Sequence, residues 1–560
     1  MATMQVPLSP LRFLTRAERV YGDAEAIVCG EARFTYTEYA ERVRTLAAAL
    51  RDRLGLGPGE RLLYLGMNCH RLLELYYAVP ALSAILVPVN IRLSPQEIHA
   101  ILGDCEPEVI VLSPELLPMV PALRALDVPS RIRWVLTQDT LSLGEGRVPL
   151  PEGFFAYEEL LRSVSFDEAG QNARDRESLD LPDGADENMT AEIFYTSGTT
   201  GRPRGVMLSH RTLYLHALTT ALAIGTTERD RMIVGTVPLF HVNAWGIPQF
   251  IVAMAGVQIV VPRFDPEIFC RVVEREKGTH GVMVPSMLGA LLEFPRLKDY
   301  DLSSLRELVL GGAPPVEQIV ERAHEVLGVR CRVGYGLTET CPVVSVSNVK
   351  RTLDNESEKV RRRYTRLTGL PAVGIEVRVV HDDGSEVLHD GQDTGEILVR
   401  ADSVMTGYWR RPEETAAAIR DGYFRTGDLA VVDGEGYLNI VDRKKDIIIS
   451  GGENIASVEV EDALYSHPAV LEAAVVATPD AKWGEVAVAL VALRPGHTAT
   501  EPELIAHVRM RIAHFKVPHR IFFRESLPKT GTGKIMKAEL RRELAGAAHP
   551  TSAKGQEAPA

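Results

Sequence analysis

Two rhythms of apolar residues alternate along this chain of 560 residues. Short runs rich in Val, Ile and Leu, at 61–66, 109–112 and 308–310, read as buried strands. Between them, stretches with apolar positions three and four apart, at 41–54 and 318–327, read as amphipathic helices. The alternation holds from about residue 11 to about 441 and predicts α/β layers around largely parallel sheets. Beyond residue 446 the character changes. Strands are predicted at 473–477 and 485–493, and a helix opens with the capping box Thr500…Glu503, with Pro502 in its first turn. The fold class is therefore α/β: a large N-terminal α/β domain of several subdomains over 1–442, a charged hinge at 443–446 and a small α+β domain over 447–544. The tail at 545–560, rich in Ala, Pro, Gly and Ser, is expected to be disordered. The polar stretch 174–187 reads as a loop, and the charged stretch 350–366 as a surface helix with its flanking loop. The most apolar window, 246–261, is short and broken by Pro248, Gln249 and Gly256, so it reads as a buried helix-turn-strand, not a membrane span.

Composition narrows the class. An apolar fraction of 45% is that of a globular enzyme, and a net charge of −13 argues against nucleic acid as the main partner. The cysteines (Cys29, Cys69, Cys105, Cys270, Cys331 and Cys341) are scattered, without the paired spacing of metal ligands. With no signal peptide ahead of them, reduced thiols and a cytoplasmic location are expected.

The chemistry starts at 195–205, Tyr-Thr-Ser-Gly-Thr-Thr-Gly-Arg-Pro-Arg-Gly, directly after an apolar run. Glycines let backbone N–H groups approach a phosphate, the hydroxyls of Thr196, Ser197, Thr199 and Thr200 add donors, and Arg202 and Arg204 add fixed positive charge. The loop suits a polyphosphate, yet no Gly-Lys-Ser/Thr closes it as in a Walker A motif. Four further motifs follow: Gly-Tyr-Gly-Leu-Thr-Glu-Thr at 334–340, Tyr-Phe-Arg-Thr-Gly-Asp-Leu at 423–429, Asp-Arg-Lys-Lys-Asp at 442–446 and Pro-Lys-Thr-Gly-Thr-Gly-Lys-Ile at 528–535. In this order they resemble the adenylate-forming superfamily: acyl-CoA synthetases, adenylation domains of peptide synthetases and beetle luciferases. The resemblance spans residues 10–544.

The resemblance implies a reaction in two halves. A carboxylate attacks the α-phosphate of ATP to give an acyl adenylate and pyrophosphate, and a thiol then attacks the adenylate. It assigns the β- and γ-phosphates to Thr196, Ser197, Gly198, Thr199, Thr200 and Gly201. It gives Arg204 a basic position that is usually lysine, which changes reach and geometry. Tyr335, between Gly334 and Gly336, would cover the adenine, Thr338 would touch the α-phosphate, and Glu339 with Thr199 would help hold Mg²⁺. Gly311, Gly312, Ala313 and Pro314 would line the adenine and acyl pockets. Asp428 would accept both ribose hydroxyls, with Arg443 approaching the same ribose. Lys534 would neutralise the carboxylate and α-phosphate as they join. It would be carried in by a mobile C-terminal domain turning about Lys445. Gly451, Gly452 and Glu453 would then line the path of the thiol.

Pro-Leu-Phe-His-Val-Asn-Ala-Trp-Gly at 238–246 matches the family's acyl-pocket segment, giving Val242, Trp245 and His241 as lining residues. His241 suits either a catalytic role or a hydrogen-bonded core. Trp245 suits either the gate of a tunnel or the floor of a short pocket. From 231 to 264 there is no acidic side chain, which disfavours an amino-acid substrate, whose buried ammonium would need a counter-charge. Residues 241–245 and 338–344 are similar to bacterial fatty acyl-CoA synthetases, implying a medium- or long-chain fatty acid. A short-chain or aryl acid is the alternative. Coenzyme A is the implied acceptor, with a carrier protein the nearest rival, a luciferase-like oxygenase less favoured and a nucleotide-binding regulator disfavoured by retention of the catalytic residues. The enzyme would stand alone rather than within an assembly line, with a homodimer as one option for its oligomeric state and no transmembrane segment.

Overall fold

The computed structural model describes residues 6–126, 129–138, 148–164, 179–181, 184–197, 203–312, 317–451, 453–480, 482–530 and 535–547. The chain divides into two compact units: Met1–Arg378 with Leu398–Thr426, and Val379–Ile397 with Gly427–Ala560.

The larger unit is built on two sheets whose centres are parallel. In the first, Glu25–Cys29, Val257–Val260, Arg231–Val234, His280–Met283, Glu307–Leu310 and Arg330–Gly336 run parallel, with antiparallel strands at both margins. In the second, Thr190–Ser197, Ile85–Pro88, Arg61–Leu65, Val109–Leu112, Arg133–Leu136 and Phe154–Ala156 run parallel, and Pro203–Ser209 and Gly407–Tyr408 continue the sheet antiparallel beyond Thr190–Ser197. Strands covered on both faces carry continuous apolar runs, as at Val109–Leu112, where every residue is buried. One core cluster draws on both sheets and on the helices Leu11–Tyr21, Tyr36–Leu54, His70–Ala81, His210–Ile224 and Val242–Met254. The expected helices at 41–54 and 318–327 form as Tyr36–Leu54 and Glu317–Leu327, and the helix in 350–366 as Glu358–Tyr364.

The smaller unit has the hairpin Ile448–Ser450/Glu453–Ile455 and the long hairpin Val470–Asp480/Gly484–Leu493, with Arg520–Arg524 parallel to the latter's second strand. Side chains alternate between two cores: Ala473, Val475, Ala487 and Ala489 point to one, Ala474, Val476 and Leu490 to the other. The capping box at Thr500 and Glu503 opens the helix Glu501–Arg509 as read from sequence. The last helix runs Lys537–Ala547, so its end occupies the first positions of the stretch expected to be a disordered tail; 548–560 lie outside the described residues. An alanine-rich sequence favours helix. Among the described residues no helix is long and apolar enough to cross a membrane.

Candidate active site

Parallel α/β sheets place ligands beyond the carboxyl ends of their strands, and the expected phosphate, adenine and acyl positions of the larger unit fall there. Thr196 and Ser197 end the strand Thr190–Ser197, and Arg204 lies directly across from Thr196 on the returning strand. Gly198, Thr199, Thr200, Gly201 and Arg202 of the connecting loop lie outside the described residues, as do Ala313, Pro314, Gly452 and Lys534. The stem is tightly packed: a Cβ at Gly205 would lie 2.8 Å from Ile193 and 3.2 Å from Trp409. The Thr196 hydroxyl and the Arg204 Nε are buried without a hydrogen-bond partner in the described structure. The Arg204 guanidinium stands 4.6 Å from the centre of the Tyr408 ring, and its Nη1 is 3.4 Å from Glu414 Oε2.

Gly334, Tyr335 and Gly336 end the strand Arg330–Gly336, and Thr338–Thr340 form a single 3₁₀ turn. Thr338 and Glu339 are each 8% exposed and Tyr335 9%. The Thr340 hydroxyl accepts from Leu337 N–H at 2.9 Å, closing the turn. Glu339 Oε1 accepts from the Tyr408 hydroxyl at 2.9 Å, while Oε2 has no hydrogen-bond partner among the described residues. Arg204, Tyr408 and Glu339 thus form one contiguous group, reaching from the phosphate loop to the carboxylate expected to bind metal. A single carboxylate suits Mg²⁺, which prefers few carboxylates with phosphate oxygens completing its shell. The unpartnered polar atoms of Thr196 and Arg204 fit the phosphates beside it.

The acyl segment departs from a plain helix. Val242, Asn243, Ala244 and Trp245 have φ between 39° and 66°, and Gly246 has 82°, before the helix settles towards Met254. Left-handed conformation costs roughly 1–2 kcal/mol per residue with a Cβ, so this turn must be anchored. One anchor is Glu192, fully buried on Thr190–Ser197, which accepts from Asn243 Nδ2 and Gln249 Nε2, both at 2.9 Å. A Cβ at Gly246 would meet the His216 ring at 2.5 Å, and one at Gly311 would meet the Trp245 ring at 2.1 Å. Trp245 is therefore pressed against Gly311, whose neighbour Gly312 has φ +80°. His241 caps the turn without a side-chain capping bond, and Val242 is buried. The sequence showed no acid within 231–264, yet Glu192 reaches that segment from another strand. Burial pushes its carboxyl up to about 8, with the two amide donors pulling the other way. At neutral pH it is mainly protonated and supplies no full counter-charge for an ammonium.

In the smaller unit, Asp428 and Arg443 are cross-strand partners, and Arg443 Nε lies 3.2 Å from Asp428 Oδ1. Lys445 follows in a turn held by Asp446 N–H donating to Arg443 O at 2.8 Å. Burial, then the neighbouring Arg443, lowers its ammonium below the usual lysine range. Asp446 pairs with Arg541. Gly451 has φ +61°, donates its N–H to Trp483 O at 2.8 Å, and would bring a Cβ within 2.8 Å of the Trp483 ring. Glu453 is exposed, opposite Ser450. Tyr408, Glu414, Glu192 and Trp483 were not found from the sequence. Each acts through a partner distant in the chain, and none carries a local motif.

Known proteins resemble this chain over most of its length. The family model described as AMP-binding enzyme matches residues 14–409, and that for the AMP-binding enzyme C-terminal domain matches 459–534. A long-chain-fatty-acid–CoA ligase of Thermus thermophilus is 39% identical over 95% of this chain and 94% of its own length. A feruloyl-CoA synthase of an Amycolatopsis species is 37% identical over 94% and 98%. The crystal structure of an anthranilate CoA ligase with anthranoyl-AMP shares the fold, with a TM-score of 0.83 at 24% identity over 97% and 99% of the two chains. The chain belongs to the AMP-binding enzymes, in the acyl-CoA synthetase branch of the adenylate-forming superfamily.

Proposed function

We propose that this chain joins a carboxylic acid to the thiol of coenzyme A through an acyl adenylate, with a medium- or long-chain fatty acid as the acid. The observation that carries the reading is the group Thr196, Arg204, Tyr408 and Glu339, with unpartnered donors beside a carboxylate that keeps one oxygen open. In the first half the carboxylate oxygen attacks the α-phosphorus and pyrophosphate leaves. Two anions must meet, so alignment and charge neutralisation are the main tasks. Thr196 and Arg204 bind phosphate oxygens, Thr338 the α-phosphate, and Glu339 would hold Mg²⁺, which offsets the charge of the leaving pyrophosphate. Asp428 and Arg443 hold the ribose, and Lys534 bridges the reacting oxygens. In the second half the thiol sulfur attacks the acyl carbon and AMP leaves, after the C-terminal domain has turned at Lys445 and brought Gly451–Glu453 to the thiol's path.

An uncharged acyl tail is supported by Trp245 on Gly311 and by the mainly neutral Glu192. Relatives named for long-chain and for feruloyl substrates support both an aliphatic and an aryl range, and the likeness of 241–245 to fatty acyl-CoA synthetases favours the aliphatic one. The test is AMP release with ATP and a panel of acids from acetate to palmitate, with aryl acids, in the presence of coenzyme A. The highest specificity constants are expected at C8 to C16, and release without coenzyme A, or only with a carrier protein, would contradict the reading. Lys534→Ala should abolish acid-dependent exchange of pyrophosphate into ATP while sparing thioester formation from supplied acyl adenylate, and Lys445→Pro should do the reverse.

A further inference from the structure

We propose that Tyr408 is a positioning residue for the nucleotide site, its hydroxyl orienting the carboxylate of Glu339 and its ring face holding Arg204 beside the phosphate loop. The inference rests on the adenylate-forming reading above and adds a residue to it.

One aromatic ring serves two charged groups. Its edge donates to Glu339 Oε1 at 2.9 Å, and its face carries the Arg204 guanidinium at 4.6 Å. The ring itself is fixed. Tyr408 is 4% exposed, its N–H donates to Thr415 Oγ1 at 2.9 Å, and it pairs across the sheet with Val206. Next to it, Trp409 N–H donates to Gly205 O at 2.7 Å, tying this short strand to the stem of the phosphate loop. Donation to Oε1 fixes the plane of the carboxylate and leaves Oε2 as the oxygen open to a cation. Arg204 has a second partner in Glu414, but that carboxylate is 40% exposed and the pair is 3.4 Å long. Such half-exposed pairs contribute little, so a triphosphate can take the guanidinium from Glu414 while the ring keeps it aimed. Burial, then the negative charge of Glu339, pushes the phenol of Tyr408 upward, so it stays a donor throughout the working pH range.

The test uses the full chain, Mn²⁺ as the metal and α,β-methylene-ATP as the nucleotide, with bound Mn²⁺ read by electron paramagnetic resonance. Tyr408→Phe keeps the ring and removes the hydroxyl. It should weaken Mn²⁺ binding in the ternary complex about ten- to a hundredfold, the scale of one hydrogen bond to a charged group. Its affinity for the analogue in EDTA, read by calorimetry, should stay as in the wild type. Tyr408→Leu should weaken both. In the double variant Tyr408→Phe/Glu339→Gln, the loss of Mn²⁺ affinity should equal that of Glu339→Gln alone. Additive losses, or a Tyr408→Phe protein that binds Mn²⁺ like the wild type while Glu339→Gln does not, would overturn the proposal and leave the function standing. Should Glu339→Gln itself leave Mn²⁺ binding unchanged, the nucleotide-site reading falls with it. If Tyr408→Phe does not fold, 3-fluorotyrosine at position 408, whose phenol is more acidic, must change Mn²⁺ affinity in the ternary complex while leaving affinity for the analogue in EDTA as in the wild type; unchanged Mn²⁺ affinity overturns the proposal.

Discussion

A Cβ at Gly336 would lie 1.6 Å from the carbonyl oxygen of Pro342, and one at Gly311 would lie 2.1 Å from the Trp245 ring. The two obstacles differ in kind. Backbone cannot retreat at Gly336, so Gly336→Ala must displace the turn that carries Thr338 and Glu339. It should lower kcat/KM for every acid by about 100-fold, the scale of an ångström-sized misplacement. At Gly311 the obstacle is a side chain that can rotate. Gly311→Ala should leave binding of metal and nucleotide intact while reordering the specificity constants across the acid panel. These two glycines were legible in the sequence only as small residues of motifs. Which atom each one avoids depends on chain segments far away. The resemblance assigned Asp428 and Arg443 to one ribose, without foreseeing that they pair with each other, whereas Tyr408 lies 69 positions from Glu339 and no local pattern joins them.

Among the elements, helix Tyr36–Leu54 shows how local and tertiary terms separate. Its N-terminus is closed by Thr35 and Glu38, each side chain bonding the other's backbone N–H. Thr35→Ala should cost about 1 kcal/mol of unfolding free energy, measured by urea titration. One turn further along, Arg42 Nε donates to the fully buried Glu74 at 2.6 Å, where Tyr157 also donates at 2.7 Å. Arg42→Met strands that carboxylate and should cost roughly 3 kcal/mol in the same titration. Capping boxes are written in four consecutive residues, and the one at Thr500 was read directly. The left-handed turn at 242–245 was not legible, because an almost wholly apolar run hides it, with Asn243 as the only turn-prone residue before Gly246. Its anchor, Glu192, sits 51 positions earlier.

Over the whole molecule, buried ionisable groups set the response to pH. Burial lowers His210 to about 4 and His216 to about 3, and the Val343 N–H donates to His216 Nε2 at 3.3 Å, as a neutral ring requires. The unfolded chain binds these protons near the ordinary value of 6.5, so stability is lost as pH falls from there through 4 and 3. Glu192 acts in the opposite sense. Its carboxyl is raised from an ordinary 4.5 to about 8, so the stability of its neutral form is lost as pH rises through 8. Melting temperature should therefore fall on both sides of a mildly acidic to neutral optimum. His216→Asn should flatten the acid limb and Glu192→Gln the alkaline limb. Neither slope was foreseeable from residue counts, because burial alone distinguishes these side chains from exposed ones.

All six cysteines are buried and free, and burial raises their thiols, four of them to about 12. A catalyst that harbours a mixed anhydride is thereby spared a sulfur nucleophile of its own making. The same seclusion turns the thiols into a reporter. Disulfide reagents should label the native chain only as fast as it opens, so the rate of colour release counts excursions from the folded state.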